Sequence, residues 1–391
     1  MRIAFVVQRY GLEVNGGAEH HCRTIAETLS KNFDVTVITT CALDYMTWDN
    51  YYPEGKSTLN GVTVWRFPVD SQRDVKKFND FSEKILLNQH SDEDEIRWMK
   101  LQGPYSKKLL DFIETQKDNF DFFIFFTYLY CTTFFGLLLV KEKAILVPTA
   151  HDELPIYLKI FKKLFNSPAA IIYNTAEEKK FVNELFNNEN IISEIAGVWV
   201  TLPEDTSDKD FRSKYKLKSR FALYIGRIDE SKGCSELFEY FLRYKREIDS
   251  EIKLVLLGKP VMRISKNDDI IHLGFVSDID KHNAILASEV IVVPSRYESL
   301  SLVLLEGWSC GVPCIVNAKS SVLKSQCIKS NGGLWYENYE EFKECLDLLS
   351  RNHALKVKLG ENGRKYVDEN YTEESIRDKY IKILNKLKPN S

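Results

Sequence analysis

Two short segments carry residue types suited to a ligand with phosphates and hydroxyls. The first is Gly226-Arg227-Ile228-Asp229-Glu230-Ser231-Lys232-Gly233, which follows an apolar run ending at Ile225. Arg227 offers a planar fork for paired oxygens, and Lys232, five residues on, a mobile point charge. Next to a helix N-terminus, the two cations suit a diphosphate. The same loop also fits a solvated turn in which they pair with Asp229 and Glu230, an acidic rim. The second segment is Pro294-Ser295-Arg296-Tyr297-Glu298-Ser299-Leu300-Ser301-Leu302-Val303-Leu304-Leu305-Glu306-Gly307, in which seven residues separate Glu298 from Glu306. A helix starting near Ser299 points free N–H groups at a ligand, with Glu298 just before it and Glu306 two turns down. Carboxylates accept from vicinal hydroxyls, so one suits a sugar ring and the other a ribose. Glu306 lies in an apolar run, where an unpaired carboxylate is costly, and a partner for it is expected.

A third segment is rich in glycine. Gly11, Gly16 and Gly17 precede Ala18-Glu19 and a helical pattern. Gly17-Ala18 stands where a P-loop requires Lys-Ser/Thr, and Gly-x-Gly-x-x-Gly is absent. What remains is a Gly-Gly turn at a helix N-terminus: a close approach to a ligand, or a tight turn and nothing more.

The elements that must position these segments alternate. Apolar runs predict strands at 2–7, 34–40, 62–67, 121–127, 144–148 and 169–173, with helices at 18–31, 105–116 and 176–186 among them. After an irregular polar linker, 194–210, the grammar repeats. Strands are expected at 221–226, 252–257, 270–273, 290–294 and 314–316, and helices at 234–246, 280–287, 302–309, 340–349, 355–370 and 373–387. Continuous apolar strands alternating with helices imply parallel sheets covered on both faces. Two doubly wound α/β domains follow, with ligands at the carboxyl ends of strands and a cleft between the domains as the expected site.

Composition narrows the function. The 391 residues carry 53 Lys+Arg against 56 Asp+Glu, a net charge of -3, which argues against a nucleic-acid binder. With 44% hydrophobic and 12% aromatic residues the chain can build two cores. Eight scattered cysteines form no Cys-x-x-Cys pair, and the start of the chain lacks a signal-like segment, which together suggest a reducing compartment. Phe120 to Val140 is long enough for a bilayer, but Asp121, Thr127, Thr132, Thr133 and Gly136 interrupt it. A buried strand turning into a buried helix at 130–140 fits better. No Asp-x-Asp pair or His/carboxylate cluster is expected to offer a divalent site in the cleft, and Asp34, Asp49 and Asp121 are isolated carboxylates on other segments. The aromatic stretch 45–52 and Tyr128 and Tyr130 fit stacking on sugars or ordinary packing.

GRIDESKG, IIHLGFV and PSRYESLSLVLLEGWSCGVPCIV, with the opening GGAE, resemble glycosyltransferase family 4, the glycosyl transferases group 1, over essentially the whole chain. The resemblance implies a GT-B fold: two Rossmann-like domains facing across a cleft. Residues 1–200 would bind the acceptor and 201–372 the nucleotide sugar, with 373–391 a C-terminal helix returning to the first domain. It implies a retaining glycosyltransferase, in the hexosyltransferase class, that uses a UDP- or GDP-sugar. The acceptor would be a glycan or lipid-linked, in cell-envelope or exopolysaccharide synthesis. No metal, no cofactor and no nucleic acid is expected, and the location is cytoplasmic, with peripheral contact at the inner membrane face for a lipid-linked acceptor. By the same resemblance, Arg227 and Lys232 hold the diphosphate and Glu306 the ribose. Glu298 faces the donor sugar with the backbone N–H groups of Ser299, Leu300 and Ser301. Gly274, Phe275 and Val276 read the base, Gly16 and Gly17 approach the substrate, and His151 approaches the donor sugar. Ser301 stands where the family usually has glycine and would add a hydroxyl that biases donor choice; Gly307 stands where alanine is commoner. The competing readings are a nicotinamide-dependent oxidoreductase, disfavoured by the missing glycine fingerprint, and a non-catalytic sugar-nucleotide binder.

Overall fold

The computed structural model describes residues 1–203, 206–248, 251–264 and 266–388. The chain divides into two compact units, Met1–Val198 together with the segment from Glu373 onward, and Trp199–Thr372. Residues 204–205 of the expected linker and 389–391 of the expected C-terminal segment lie outside the described residues.

In the first unit, eight strands form one sheet among the described residues: β1 Arg2–Val6, β2 Asp34–Thr40, β3 Gly55–Leu59, β4 Val62–Phe67, β5 Phe122–Phe126, β6 Ala144–Val147, β7 Ala170–Tyr173 and β8 Ile192–Ile195. Their order is β3-β4-β2-β1-β5-β6-β7-β8. Every neighbouring pair is parallel except β3 with β4. The central strands are apolar on both faces because helices cover both; Ile3, Phe5, Phe123, Phe125 and Ile145 have no exposed surface. The apolar stretch beginning at Phe120 resolves into β5 and a nine-residue helix, Cys131–Leu139. No helix among the described residues is long and apolar enough to cross a membrane.

The Glu373–Leu387 helix packs in this unit through buried Ile376, Tyr380, Ile383 and Leu384. Tyr380 Oη meets His21 Nε2 at 3.3 Å, and Glu373 pairs with Lys31 at 2.8 Å.

In the second unit β9 Phe221–Ile225, β10 Lys253–Leu257, β11 Ile270–Gly274, β12 Val290–Val293, β13 Cys314–Asn317 and β14 Gly333–Tyr336 form a parallel sheet in the order β11-β10-β9-β12-β13-β14. Alternate residues feed two cores: Ala222, Tyr224, Leu254 and Leu256 enter one, and Phe221, Leu223, Val255 and Leu257 the other.

In both sheets the strand order reverses at the first strand of the unit. β1 lies between β2 and β5, and β9 between β10 and β12. Such a switch point opens a crevice at the carboxyl ends of the strands. The Gly16-Gly17 turn follows β1 and the Arg227–Lys232 loop follows β9, so the glycine-rich segment and the first of the two cation and carboxylate segments stand at these points.

Three strands escape the periodicity reading. β3 is a largely exposed antiparallel edge, and β8 is a half-exposed edge that overlaps the start of the stretch read as linker. β14 is a short edge strand with one exposed tryptophan. Edge strands need not be apolar on both faces, so continuous apolar runs do not reveal them. The helices Val75–Leu87, Asp208–Lys214 and Ser321–Ser330 also lie where no complete helix is expected.

Candidate active site

In the second unit the loop after β9 is held tightly. Gly233, at φ 76, caps the Cys234–Glu247 helix, and a Cβ there would lie 2.3 Å from the Pro294 carbonyl oxygen. Glycine alone permits that approach, which brings the loop against the segment leaving β12. As a result Lys232 Nζ reaches Glu298 Oε1 at 2.8 Å, across 66 positions of sequence. The lysine is 36% exposed and the glutamate 13%. A cation of the first segment and a carboxylate of the second thus share one place.

Arg227 does not stand free. Its Nε donates to Asp229 Oδ2. Asp229 is 9% exposed and accepts from Ser231 Oγ at 2.7 Å and from the Lys232 backbone N–H at 3.0 Å. Burial would raise its carboxyl, but the Ser231 hydroxyl, the Arg227 guanidinium and the Lys232 N–H outweigh that and hold it below the ordinary aspartate range. Arg227 thus pairs with Asp229, as the solvated-turn reading has it, but Asp229 is no solvated rim: it is buried and holds Arg227, Ser231 and the Lys232 N–H together. Glu230 is exposed.

The second segment's helix spans Leu302–Ser309, so Ser299 and Leu300 precede it and Ser301 is its cap. Ser301 Oγ accepts from Leu304 N at 3.4 Å. The hydroxyl expected to bias donor choice is committed to the helix. Glu306 sits in the second turn, and its partner is Lys281 Nζ, at 2.7 Å from Oε1. Lys281 lies on the Asp278–Ala287 helix and also pairs with Asp278 at 3.2 Å. Burial alone would depress its ammonium, yet Glu306 and Asp278 raise it above the ordinary lysine value. That helix follows Gly274, at φ 75, and Phe275, whose ring is 71% exposed. The segments proposed for base and ribose are thereby tied by one ion pair.

In the first unit Gly16 sits over a buried ion pair. Arg9 Nε donates to Glu19 Oε1 at 2.9 Å, and the two residues are 6% and 7% exposed. Arg9 also donates from Nη2 to the Asn15 carbonyl at 3.1 Å and from Nη1 to the Leu43 carbonyl at 2.8 Å. A Cβ on Gly16 would lie 2.2 Å from Glu19 Oε2. The Gly-Gly turn is thus shaped from below, and Gly17 begins the Gly17–Leu29 helix.

His151 follows β6 on a neighbouring part of the sheet, partly exposed, with Nδ1 3.7 Å from Glu153 Oε1. Tyr128 is buried and donates its hydroxyl to Glu153 at 2.6 Å. Trp48 is 1% exposed and donates to the Gln102 carbonyl, so it is core, whereas Tyr51 is 64% exposed.

The structure brings Arg227, Lys232, Glu298 and the Ser299–Ser301 backbone together, and ties Glu306 through Lys281 to the helix that follows Gly274–Val276. Gly16, Gly17 and His151 belong to the other unit. Sequence reasoning missed Arg9, Asp229 and Lys281. Arg9 carried a readable signal, a cation just past a strand with an acid in the next helix; Lys281 carried none. Among the described residues no group of three or more His, Cys, Asp or Glu could hold a metal ion.

The chain is similar to known glycosyltransferases. The family of glycosyl transferases group 1 matches residues 205–366, nearly the whole second unit. A glycosyltransferase from Methanocaldococcus jannaschii is 24% identical over 306 residues, 71% of this chain and 78% of the relative. A lipopolysaccharide core biosynthesis glycosyltransferase from Rhizobium meliloti is 24% identical over 61% of this chain and 73% of its own length. A solved trehalose-6-phosphate structure from E. coli, bound with UDP-2-fluoro glucose, superposes with a TM-score of 0.72 over 100% of both chains at 12% identity, which speaks for the fold alone.

Proposed function

Since this chain is a glycosyltransferase of GT-B fold whose second unit belongs to the glycosyl transferases group 1, we propose that it moves a sugar from a nucleotide-diphosphate donor with retention at the anomeric carbon. The observation that carries the reading is the meeting of Lys232 with Glu298 beside Arg227 at the switch point of the second sheet. When a donor enters, its diphosphate supplies the negative charge that Lys232 now finds in Glu298. The freed carboxylate then faces the hydroxyls of the donor sugar. Glu306, with one oxygen held by Lys281, presents the other to the ribose, and the exposed Phe275 offers an apolar face to the base.

As the glycosidic bond breaks, charge grows on the leaving diphosphate. Arg227, fixed by Asp229, and Lys232 are already aimed there, so little reorganisation is needed. These cations provide the electrostatic stabilisation without a divalent ion, and the reaction proceeds in chelator. His151 and the Gly16-Gly17 turn act from the first unit, His151 toward the donor sugar. UDP- and GDP-sugars both suit the described base segment. The name of the Rhizobium meliloti relative supports a glycan or lipid-linked acceptor in cell-envelope synthesis. For such an acceptor the enzyme works in the cytoplasm, against the inner membrane face.

A thermal-shift panel of UDP, GDP, UDP-glucose, UDP-N-acetylglucosamine, GDP-mannose and NAD tests the donor class, because a ligand that binds the native state raises the melting temperature. Stabilisation by a nucleoside diphosphate and its sugar supports the reading. Stabilisation by NAD alone would replace it with a nicotinamide enzyme.

A further inference from the structure

Glu178 lies in the first turn of the Ala176–Phe186 helix and is 2% exposed. Both carboxylate oxygens are taken by main-chain N–H groups from different strand ends. Ala150 N donates to Oε1 at 2.6 Å and Asn174 N to Oε2 at 2.6 Å. Asn174 directly follows β7, while Ala150 belongs to the turn leaving β6. The helix itself is capped separately, by Thr175 Oγ1 accepting from Glu178 N at 3.1 Å. Among the described residues no cation pairs with this carboxylate. Its charged form is supported by backbone donors and the helix N-terminus alone.

The turn that it grips is strained. Thr149, immediately before Ala150, has φ 51, and Thr127, at the end of β5, has φ 66. Left-handed backbone is unfavourable for a β-branched residue and persists only where the surroundings enforce it. The two hydroxyls meet at 3.3 Å, and the next residue after Ala150 is His151. A carboxyl group buried against its solvation preference therefore fixes the backbone one residue before the histidine. Glutamine could not do the same, because each carboxyl oxygen keeps a lone pair for its N–H donor whether protonated or not, whereas the amide NH2 is a donor only.

We propose that Glu178 is a positioning residue for sugar transfer, holding the Thr149–Ala150 turn so that His151 is presented to the donor sugar. This rests on the reading of His151 as donor-facing. Glu178 touches no substrate; it acts through the backbone of Ala150.

The test compares Glu178→Gln, His151→Ala and the double variant in the full chain. Nucleoside diphosphate release is followed from whichever of UDP-glucose, UDP-N-acetylglucosamine or GDP-mannose the enzyme turns over. Glu178→Gln should lower kcat by roughly 10-fold or more with donor KM nearly unchanged, the scale of a small misplacement near the chemistry. The double variant should be no worse than His151→Ala. Adding Thr149→Gly, which relieves the left-handed strain, should return part of the lost kcat. Should Glu178→Gln not fold, Glu178→Asp, which keeps the carboxyl group but withdraws it by one methylene, takes its place in the same cycle. Losses that simply multiply, or a loss confined to melting temperature, would overturn the inference while leaving His151 in place. Full kcat in His151→Ala would remove the donor-facing reading itself, and the inference with it.

Discussion

Lys232 Nζ and Glu298 Oε1 stand 2.8 Å apart although 66 positions separate the residues. The pair joins the loop after β9 to the loop after β12, on adjacent strands of one sheet. Each member is left with capacity that the other does not use: two further N–H donors on the lysine and a second oxygen on the glutamate. A ligand that carries both phosphate and hydroxyls can therefore exchange with the pair without leaving a bare charge.

The first prediction concerns the two cations. Arg227→Ala and Lys232→Ala should each lower kcat by roughly 10²-fold or more, the cost of losing one preorganised group that meets charge in the transition state. Lys232→Arg should also be impaired, because a planar fork does not replace a compact ammonium. Steady-state kinetics on folded variants provide the check. Near-wild-type kcat in both alanine variants would refute the cradle.

Asp229 should not tolerate neutralisation. Asp229→Asn leaves one acceptor oxygen where two are in use and removes the charge that faces Arg227, and kcat should fall toward that of Arg227→Ala. The two substitutions should not be additive, since they act through one contact. The carboxyl is held below its ordinary value, so the unfolded chain binds more protons than the folded one in mildly acid solution. Its contribution to stability is present above the ordinary aspartate range and is lost as pH falls through the folded value. Melting curves of wild type and Asp229→Asn should converge on acidification; parallel curves would contradict this.

Glu178 should show the opposite sign. Burial outweighs its backbone hydrogen bonds and pushes its carboxyl from an ordinary 4.5 up to about 8. The folded state therefore holds a proton that the unfolded state has lost between these values. This contribution is full below the ordinary value and disappears as pH rises to about 8, each unit of difference being worth about 1.4 kcal/mol. Tyr173 of β7 and Tyr380 of the C-terminal helix are the phenols whose own ionisation Glu178 disfavours, and both stay neutral throughout this window. Glu178→Gln should flatten the decline in melting temperature between pH 5 and 8. An unchanged slope would show that another group sets it.

The pair beneath the glycine turn makes a stability prediction. Arg9→Ala leaves Glu19 buried without its cation and should cost about 3–5 kcal/mol by denaturant unfolding. Gly16→Ala places a methyl where the Glu19 carboxylate lies, so it should destabilise the first unit as well. A neutral Gly16→Ala would mean that the carboxylate moves aside freely.

How much of this was legible in the sequence depended on the range of the contact. Buried parallel strands announce themselves as continuous apolar runs, and β1, β5, β9 and β10 were readable for that reason. Edge strands β3 and β8 mix polar residues with apolar ones and were not. The chemistry of Arg227, Lys232, Glu298 and Glu306 showed in residue type and spacing. Their pairing showed only in part: the loop alone matches Arg227 with Asp229, as found, but it also matches Lys232 with Glu230. Gly233 decides otherwise, since its close contact with Pro294 carries Lys232 to Glu298. A partner for Glu306 was demanded by desolvation, but only the packing of two helices named Lys281.

The central claim is that the second unit holds a nucleoside diphosphate through these residues. Hydrogen–deuterium exchange of the full chain with saturating UDP, and separately GDP, in the presence of chelator, tests it most directly. At least one of the two should slow exchange at residues 227–233, 274–276 and 298–306 together. Protection confined to the first unit, or none with either nucleotide, would contradict it.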